Sequence, residues 1–273
     1  MNSNLFYKDQ KIPLIECRYT QDSSRHYKPH MHNTFSIGAI DSATVEYKVA
    51  NNKEILEPGS IAIINPYTLH SCNPLQQIKR SYYMLYLDTR WCLEIQKSIF
   101  GVDSFINSPT IILKDMKIYK EFIKSINFFI RDNYPLEKEQ KIASLLEKIF
   151  TKTISKERKN ISISSDYIEK VKEILSLNLD QAISLNDISK KLEINPYTLL
   201  RKFKKETGIT PHNFRMNIRI EHSKMLLQNK TDISKVALDC GFYDQNHFQK
   251  YFKACTTVTP REYQQNFFIK QKI

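Results

Sequence analysis

Two groups of side chains in this 273-residue sequence have types and spacing that could do chemistry. The first comprises Gln245, Asn246, Gln249 and Lys250, which share one face of a helix opening near Gln245. Side-chain amides on neighbouring turns can pair bidentately with adenine, and a lysine one turn on can meet a phosphate. A matching face earlier in the chain holds Tyr197, Leu200, Arg201 and Lys204. There the arginine suits guanine and the leucine a thymine methyl. The second group is His30, His32 and His70, with Tyr47 and Tyr86. His30 and His32 fall on one face if they lie on a strand, so joint metal ligation is sterically open. An iron or manganese centre also wants a carboxylate within a few residues, but the chain continues Asn33-Thr34-Phe35-Ser36-Ile37. The next acids are Asp41 and Glu46, and Glu46 lies opposite the apolar Val45, Tyr47 and Val49. No metal, cofactor or catalytic residue is therefore expected. Some of His30, His32, Tyr47, His70 and Tyr86 are expected instead to line a small-molecule effector pocket, the other reading being a domain that binds no small molecule and serves only to dimerise.

A polar face on a single helix is usually plain solvated surface. Here an internal repeat changes that weighting. Leu185, Ile188 and Leu192 recur as Ile233, Val236 and Cys240, each 48 residues later. Phe203, Lys204, Pro211 and Phe214 recur as Phe252, Lys253, Pro260 and Tyr263, each 49 later. Each copy reads as a short helix, a tight turn and a second helix, over about 184–206 and 232–255. Leu199 and Phe203, and likewise Phe248 and Phe252, are spaced to face the core, leaving the polar faces outward.

Local signals agree with those boundaries. Ser184 with Asp187 makes a capping box, and Asn195-Pro196 places a cap before a proline at the first helical position. Gly208 stops the first copy's second helix, Gly241 frees the turn in the second copy, and Asp244 caps the helix that follows. Phe214–Leu227 reads as a helix joining the two units.

The remainder of the chain looks different. Short apolar or alternating runs at Phe35–Ile40, Ala43–Val49, Ser60–Ile64 and Tyr82–Leu87 predict strands of a small antiparallel barrel or sandwich, with strand character to about residue 100. Two helical stripes follow within about 115–153: Ile118, Phe122, Ile126 and Phe129, then Ile142, Leu145, Leu146 and Ile149. They could cover the barrel or pair with a second copy as a homodimer through about 117–153. The Ser- and Lys-rich stretch 156–164 reads as a linker between domains at 1–155 and 165–273.

Charge adds little. The chain carries +12, yet residues 165–273 hold only 18 Lys and Arg against 12 Asp and Glu, the same surplus as the rest. Five widely spaced cysteines without a CxxC pair fit small buried hydrophobes in a reducing compartment. With no apolar leader and no membrane-length run, a cytoplasmic protein is expected.

The stretches SLNDISKKLEINPYTLLRKFKKETGITPHNF, RIEHSKMLL and ISKVALDCGFYDQNHFQKYFKACTTVTPREY resemble the AraC/XylS family of bacterial transcription regulators over about 80 residues. The fragments PHMH at 29–32, LEPGS at 56–60 and INPYTLH at 64–70 resemble that family's cupin-like sensor domain. The resemblance implies an α+β chain of two domains: a cupin-like antiparallel β-barrel with flanking helices, then an all-α domain of two tandem helix-turn-helix units. It implies double-stranded DNA as partner, read in two successive major grooves, and an activator that works with RNA polymerase and responds to an effector. Thr257 departs from the pattern, standing where Gly208 stands in the first copy, which puts the geometry of that turn in question. Arg219 matches a family arginine of structural role and is not counted as a DNA contact. The competing reading is a metal-dependent cupin enzyme with a helical interaction domain.

Overall fold

Side chains on an extended backbone project to opposite faces at every second residue, so the alternating runs of the first half become strands. In the computed structural model, which describes residues 4–75, 78–131, 134–154 and 166–270, these are β1 (Asn4–Asp9), β2 (Ile12–Ser23), β3 (Phe35–Ser42), β4 (Val45–Val49), β5 (Asn52–Leu56), β6 (Ile61–Ile64), β7 (His70–Pro74) and β8 (Arg80–Leu87). Then come α1 (Thr89–Phe100), β9 (Ile112–Leu113), α2 (Met116–Arg131) and α3 (Pro135–Thr153). The expected linker at 156–164 lies outside the described residues. Beyond it stand α4 (Asp166–Ser176), α5 (Leu185–Lys191), α6 (Pro196–Thr207), α7 (Pro211–Gln228), α8 (Ile233–Asp239), α9 (Gln245–Thr256), α10 (Pro260–Asn266) and β10 (Phe267–Lys270).

The strands form a seven-stranded sheet in the order β10-β1-β2-β8-β3-β6-β9 and a three-stranded sheet β5-β4-β7. Every pairing is antiparallel except β1 with β10. Strand character expected to about residue 100 stops at Leu87. Asp88 accepts hydrogen bonds from the amides of Arg90 and Trp91 and opens α1, which Gly101 ends in the left-handed region. Trp91, Ile95 and Ile99 recur every four residues and pack on the sheet core, a helical period hidden beside the strong β8 pattern.

Helices α2 and α3 cover the larger sheet. Ile118, Phe122, Ile126, Phe129, Ile142, Leu145, Leu146 and Ile149 join one buried cluster with Ile15, Phe35, Ile37 and Leu85 of the strands. Each such side chain withdrawn from water is worth about 1.5–3 kcal/mol, so the apolar stripes are used within one chain. Lys138 of α3 is wholly buried and donates to Asp9 at 2.8 Å and to the Tyr7 hydroxyl at 2.9 Å.

The helical domain is not a separate bead. Strand β10, at the end of the stretch expected to be all helix, runs parallel to β1 and extends the N-terminal sheet. Phe6 of β1 packs in the core of the second helix-turn-helix unit with Val236, Phe248 and Phe252. Met31 packs in the core of the first with Ile188, Leu199 and Phe203.

Candidate nucleic-acid interface

Each second helix is held by its inner face. Leu199 and Phe203 of α6 and Phe248 and Phe252 of α9 are fully buried, as their spacing requires. The starts are capped as their sequences suggest. Ser184 and Asp187 form the full capping box of α5, Asn195 accepts from the Thr198 amide, and Asp244 accepts from the His247 amide at 2.6 Å. Helix α7 spans both units, burying Phe214 against Phe203 and Ile220 among the residues of the second core. One continuous helix therefore sets the relative position of α6 and α9.

The opposite faces are open. Arg201 and Lys204 of α6 are exposed and Leu200 is half-buried; Gln245, Asn246 and Lys250 of α9 are exposed and Gln249 is half-buried. Tyr197 lies on α6, but its side chain is outside the described set. Sequence reasoning passed over Tyr243, which is 90% exposed and stands just before the α9 cap. A residue in that place often folds inward as a hydrophobic staple, so its type alone did not mark it as outward.

Two turns hold the frame. At Gly241 (φ +74°) an added Cβ would lie 2.2 Å from the Leu179 carbonyl oxygen and 2.6 Å from Arg219 Nη2, so both backbone angle and space require glycine. Arg219 donates to the Leu179 and Gln181 carbonyls, and Arg215 donates to those of Leu175, Leu177, Asn178 and Gln181. Arg219 is thus a brace for the segment after α4, and Arg215 is a second brace that no local pattern announced. Thr257, whose place resembled a glycine position, does adopt the left-handed conformation (φ +66°) and ends α9. The turn keeps its geometry despite the β-branch.

The expected effector residues come together in part. His30, Tyr47, His70 and Tyr86 line one cavity of about 40 Å³ between the sheets, with Tyr27, Arg80 and Tyr82. His32 sits behind it, its ring against those of His70 and Tyr86. Tyr47 is fully buried and donates to the Ile63 carbonyl, so its hydroxyl already has a structural partner. Residues 24–34 are an irregular arm rather than the strand assumed for His30 and His32, and His30 pairs with His70 through an isolated bridge. Burial, then the neighbouring imidazoles and Lys224, hold His30 and His32 well below the usual histidine range. Burial brings His70 down to about 4. All three rings are neutral at neutral pH. Glu46 turns away and pairs with Lys48 and Lys53.

A space of that size admits a few waters, each needing roughly 10–15 Å³. A wider cleft of about 340 Å³ opens between the domains, lined by Glu16, Thr34, Tyr67 and Tyr86 on one side and Ile218, Glu221, His222 and Lys224 on the other. On a third flank the sensor loop bearing Tyr67 and Leu69 faces Arg201, Lys204 and Lys205 across a crevice.

Two helix-turn-helix units on one helical frame, docked under an antiparallel sheet domain with an internal cavity, define a two-domain DNA-binding regulator. The model of the AraC-like ligand binding domain matches residues 13–149, and that of a helix-turn-helix domain matches residues 188–266. The chain belongs to the AraC family of transcription regulators. It is 26% identical over 219 residues to the uncharacterized HTH-type transcriptional regulator YbfI of Bacillus subtilis, covering 80% of either chain. It is 23% identical over 265 residues to the HTH-type transcriptional activator RhaS of Mannheimia succiniciproducens, covering 94% of this chain and 96% of that one. Among solved structures, ToxT of Vibrio cholerae O395 superposes with a TM-score of 0.67 at 17% identity, covering 93% of this chain and 98% of ToxT. That likeness concerns the fold. The named relatives are transcription regulators rather than enzymes. No helix among the described residues is long and apolar enough to cross a membrane.

Proposed function

We propose that this regulator is an activator that reads two successive major grooves with α6 and α9. Leu200, Arg201 and Lys204, with Tyr197, would serve one half-site; Gln245, Asn246, Gln249 and Lys250 would serve the other. The observation that carries this reading is the split of both second helices into a fully buried inner face and an open polar face, joined by the single helix α7. Activation is supported by the relative named as an activator, and RNA polymerase would then be the partner.

A small molecule is the proposed modulator, and one ToxT structure is described as bound to an unsaturated fatty acid. The cleft between the domains supports this reading, because an occupant there touches Tyr86 of the sensor and Lys224 of α7 together. A homodimer through α2 and α3 remains part of the proposal. It would use their outer faces, since the apolar stripes are packed on the sheet.

Footprinting with Arg201→Ala and Asn246→Ala tests the reading faces. Each variant is expected to relax base preference at one half-site, the two positions lying about ten base pairs apart. Unchanged affinity and footprint in both variants would show that these faces do not read DNA.

A further inference from the structure

His30, His32 and His70 converge from two segments, the arm before β3 and the start of β7. In each ring Nδ1 faces a backbone carbonyl: His30 that of Lys28 at 2.9 Å, His70 that of Thr68 at 2.9 Å, His32 that of Thr34 at 3.3 Å. A carbonyl only accepts, so Nδ1 of His30 and of His70 carries the proton and their Nε2 atoms keep a bare lone pair, whereas His32 Nδ1 also lies 3.1 Å from the Thr34 hydroxyl and 3.4 Å from that of Ser36, either of which can donate or accept. His32 is 2% exposed, and its Nε2 is buried without a hydrogen-bond partner. A ring nitrogen from each of the three lies within 4.8 Å of the other two. Nitrogens around a tetrahedral ion with bonds of ~2.0–2.1 Å stand about 3.3 Å apart. Small ring rotations close that gap.

We infer that His30, His32 and His70 form a binding site for a zinc-type divalent metal ion, held through three Nε2 atoms with a fourth position open to the barrel cavity. Metal-bound histidines characteristically donate their other ring N–H to a carbonyl or carboxylate, which fixes tautomer and orientation, and His30 and His70 already do so. The missing carboxylate speaks against an iron or manganese centre, not against an all-imidazole set.

The site deepens the proposed modulation and rests on it only for its consequence. The arm carrying His30 and His32 also holds the helical domain: the Lys28 amide donates to the Ala254 carbonyl of α9, and the Met31 amide to Asn217 of α7. An ion tying this arm to β7 therefore fixes the residues against which α9 rests.

The test is titration of tag-free, metal-free full-length protein with Co²⁺ alone, followed by displacement with Zn²⁺. Saturation at one equivalent with the intense visible band of a tetrahedral site is expected, and His30→Gln and His70→Ala should each weaken binding at least about tenfold. Absence of saturable one-to-one binding in the wild type, or wild-type binding in both folded variants, overturns the site. If a variant does not fold, imidazole ¹⁵N spectra of the wild type decide: three Nε2 resonances shifting together with Zn²⁺ support the site, and fewer overturn it. Footprinting of the metal-free protein is measured alongside, so a failure of DNA reading is seen separately.

Discussion

Arg18 of the N-terminal sheet donates to Thr257 Oγ1 at 3.1 Å and to the Thr256 carbonyl at 3.0 Å, holding the turn that ends α9. Its other donors reach Thr20 Oγ1, the Tyr27 hydroxyl and Asn4 Oδ1, so all five guanidinium N–H groups are used. Arg25 adds a bond to the Thr257 carbonyl at 2.7 Å. A β-branched residue in the left-handed region costs about 1–2 kcal/mol. Contacts from the sensor domain offset that strain, which a glycine would not have incurred.

Arg18→Met should lower stability and loosen α9 against the sheet. In a Thr257→Gly background the loss should shrink, giving a coupling of about 0.5–3 kcal/mol in a double-mutant cycle of urea denaturation. Additive effects would mean that Arg18 does not hold this turn.

Two glycines with similar backbone angles should respond very differently. Gly101 (φ +64°) has nothing within 4 Å of an added Cβ, so Gly101→Ala should cost only the left-handed penalty, about 1–2 kcal/mol. Gly241→Ala adds a clash with the Leu179 carbonyl and the Arg219 guanidinium, and should cost roughly 3 kcal/mol or more. Denaturation midpoints of the two variants check the ranking.

Lys204→Ala and Lys250→Ala remove exposed cations placed one turn along from the residues proposed to read bases. Each should weaken binding to specific and random DNA alike and reduce the slope of log affinity against log salt by about 1. Binding isotherms at several salt concentrations measure this. A loss confined to one sequence would reassign that lysine to base readout.

The buried Lys138–Asp9 pair joins α3 to β1. Lys138→Ala leaves the Asp9 carboxylate without this cation and should cost about 3–5 kcal/mol. Burial alone would lower the lysine's proton affinity, but the hydrogen bonds to Asp9 and Tyr7 outweigh it and raise the value above its ordinary level. The pair's contribution should therefore be complete below about pH 10.4 and fade as pH climbs through the folded value. Thermal melts across the alkaline range should show a fall that Lys138→Met lacks.

Much of the two helix-turn-helix units was legible in the residues themselves. Helix caps, the four-residue spacing of Leu199 and Phe203 and of Phe248 and Phe252, and the offset repeat are properties of adjacent chain, where backbone geometry dictates which side chains share a face. Strands β3, β4, β6 and β8 were legible for the same reason, whereas β5 and β7 were not among the runs singled out. Helix α1 was not legible, because its short period is masked by the strand before it. Tertiary structure alone decided what joins distant segments. Arg18 looks like any alternating strand residue until Thr257, 239 positions away, is folded beside it. Strand β10 has no partner until β1 offers an edge. The three histidines share a site only because an irregular arm crosses β7. The sequence by itself determined two second helices, each with a core face and a polar face. Folding decided that a sensor domain grips the second of them, because hydrogen bonds and packing between remote residues leave no periodic trace in the chain.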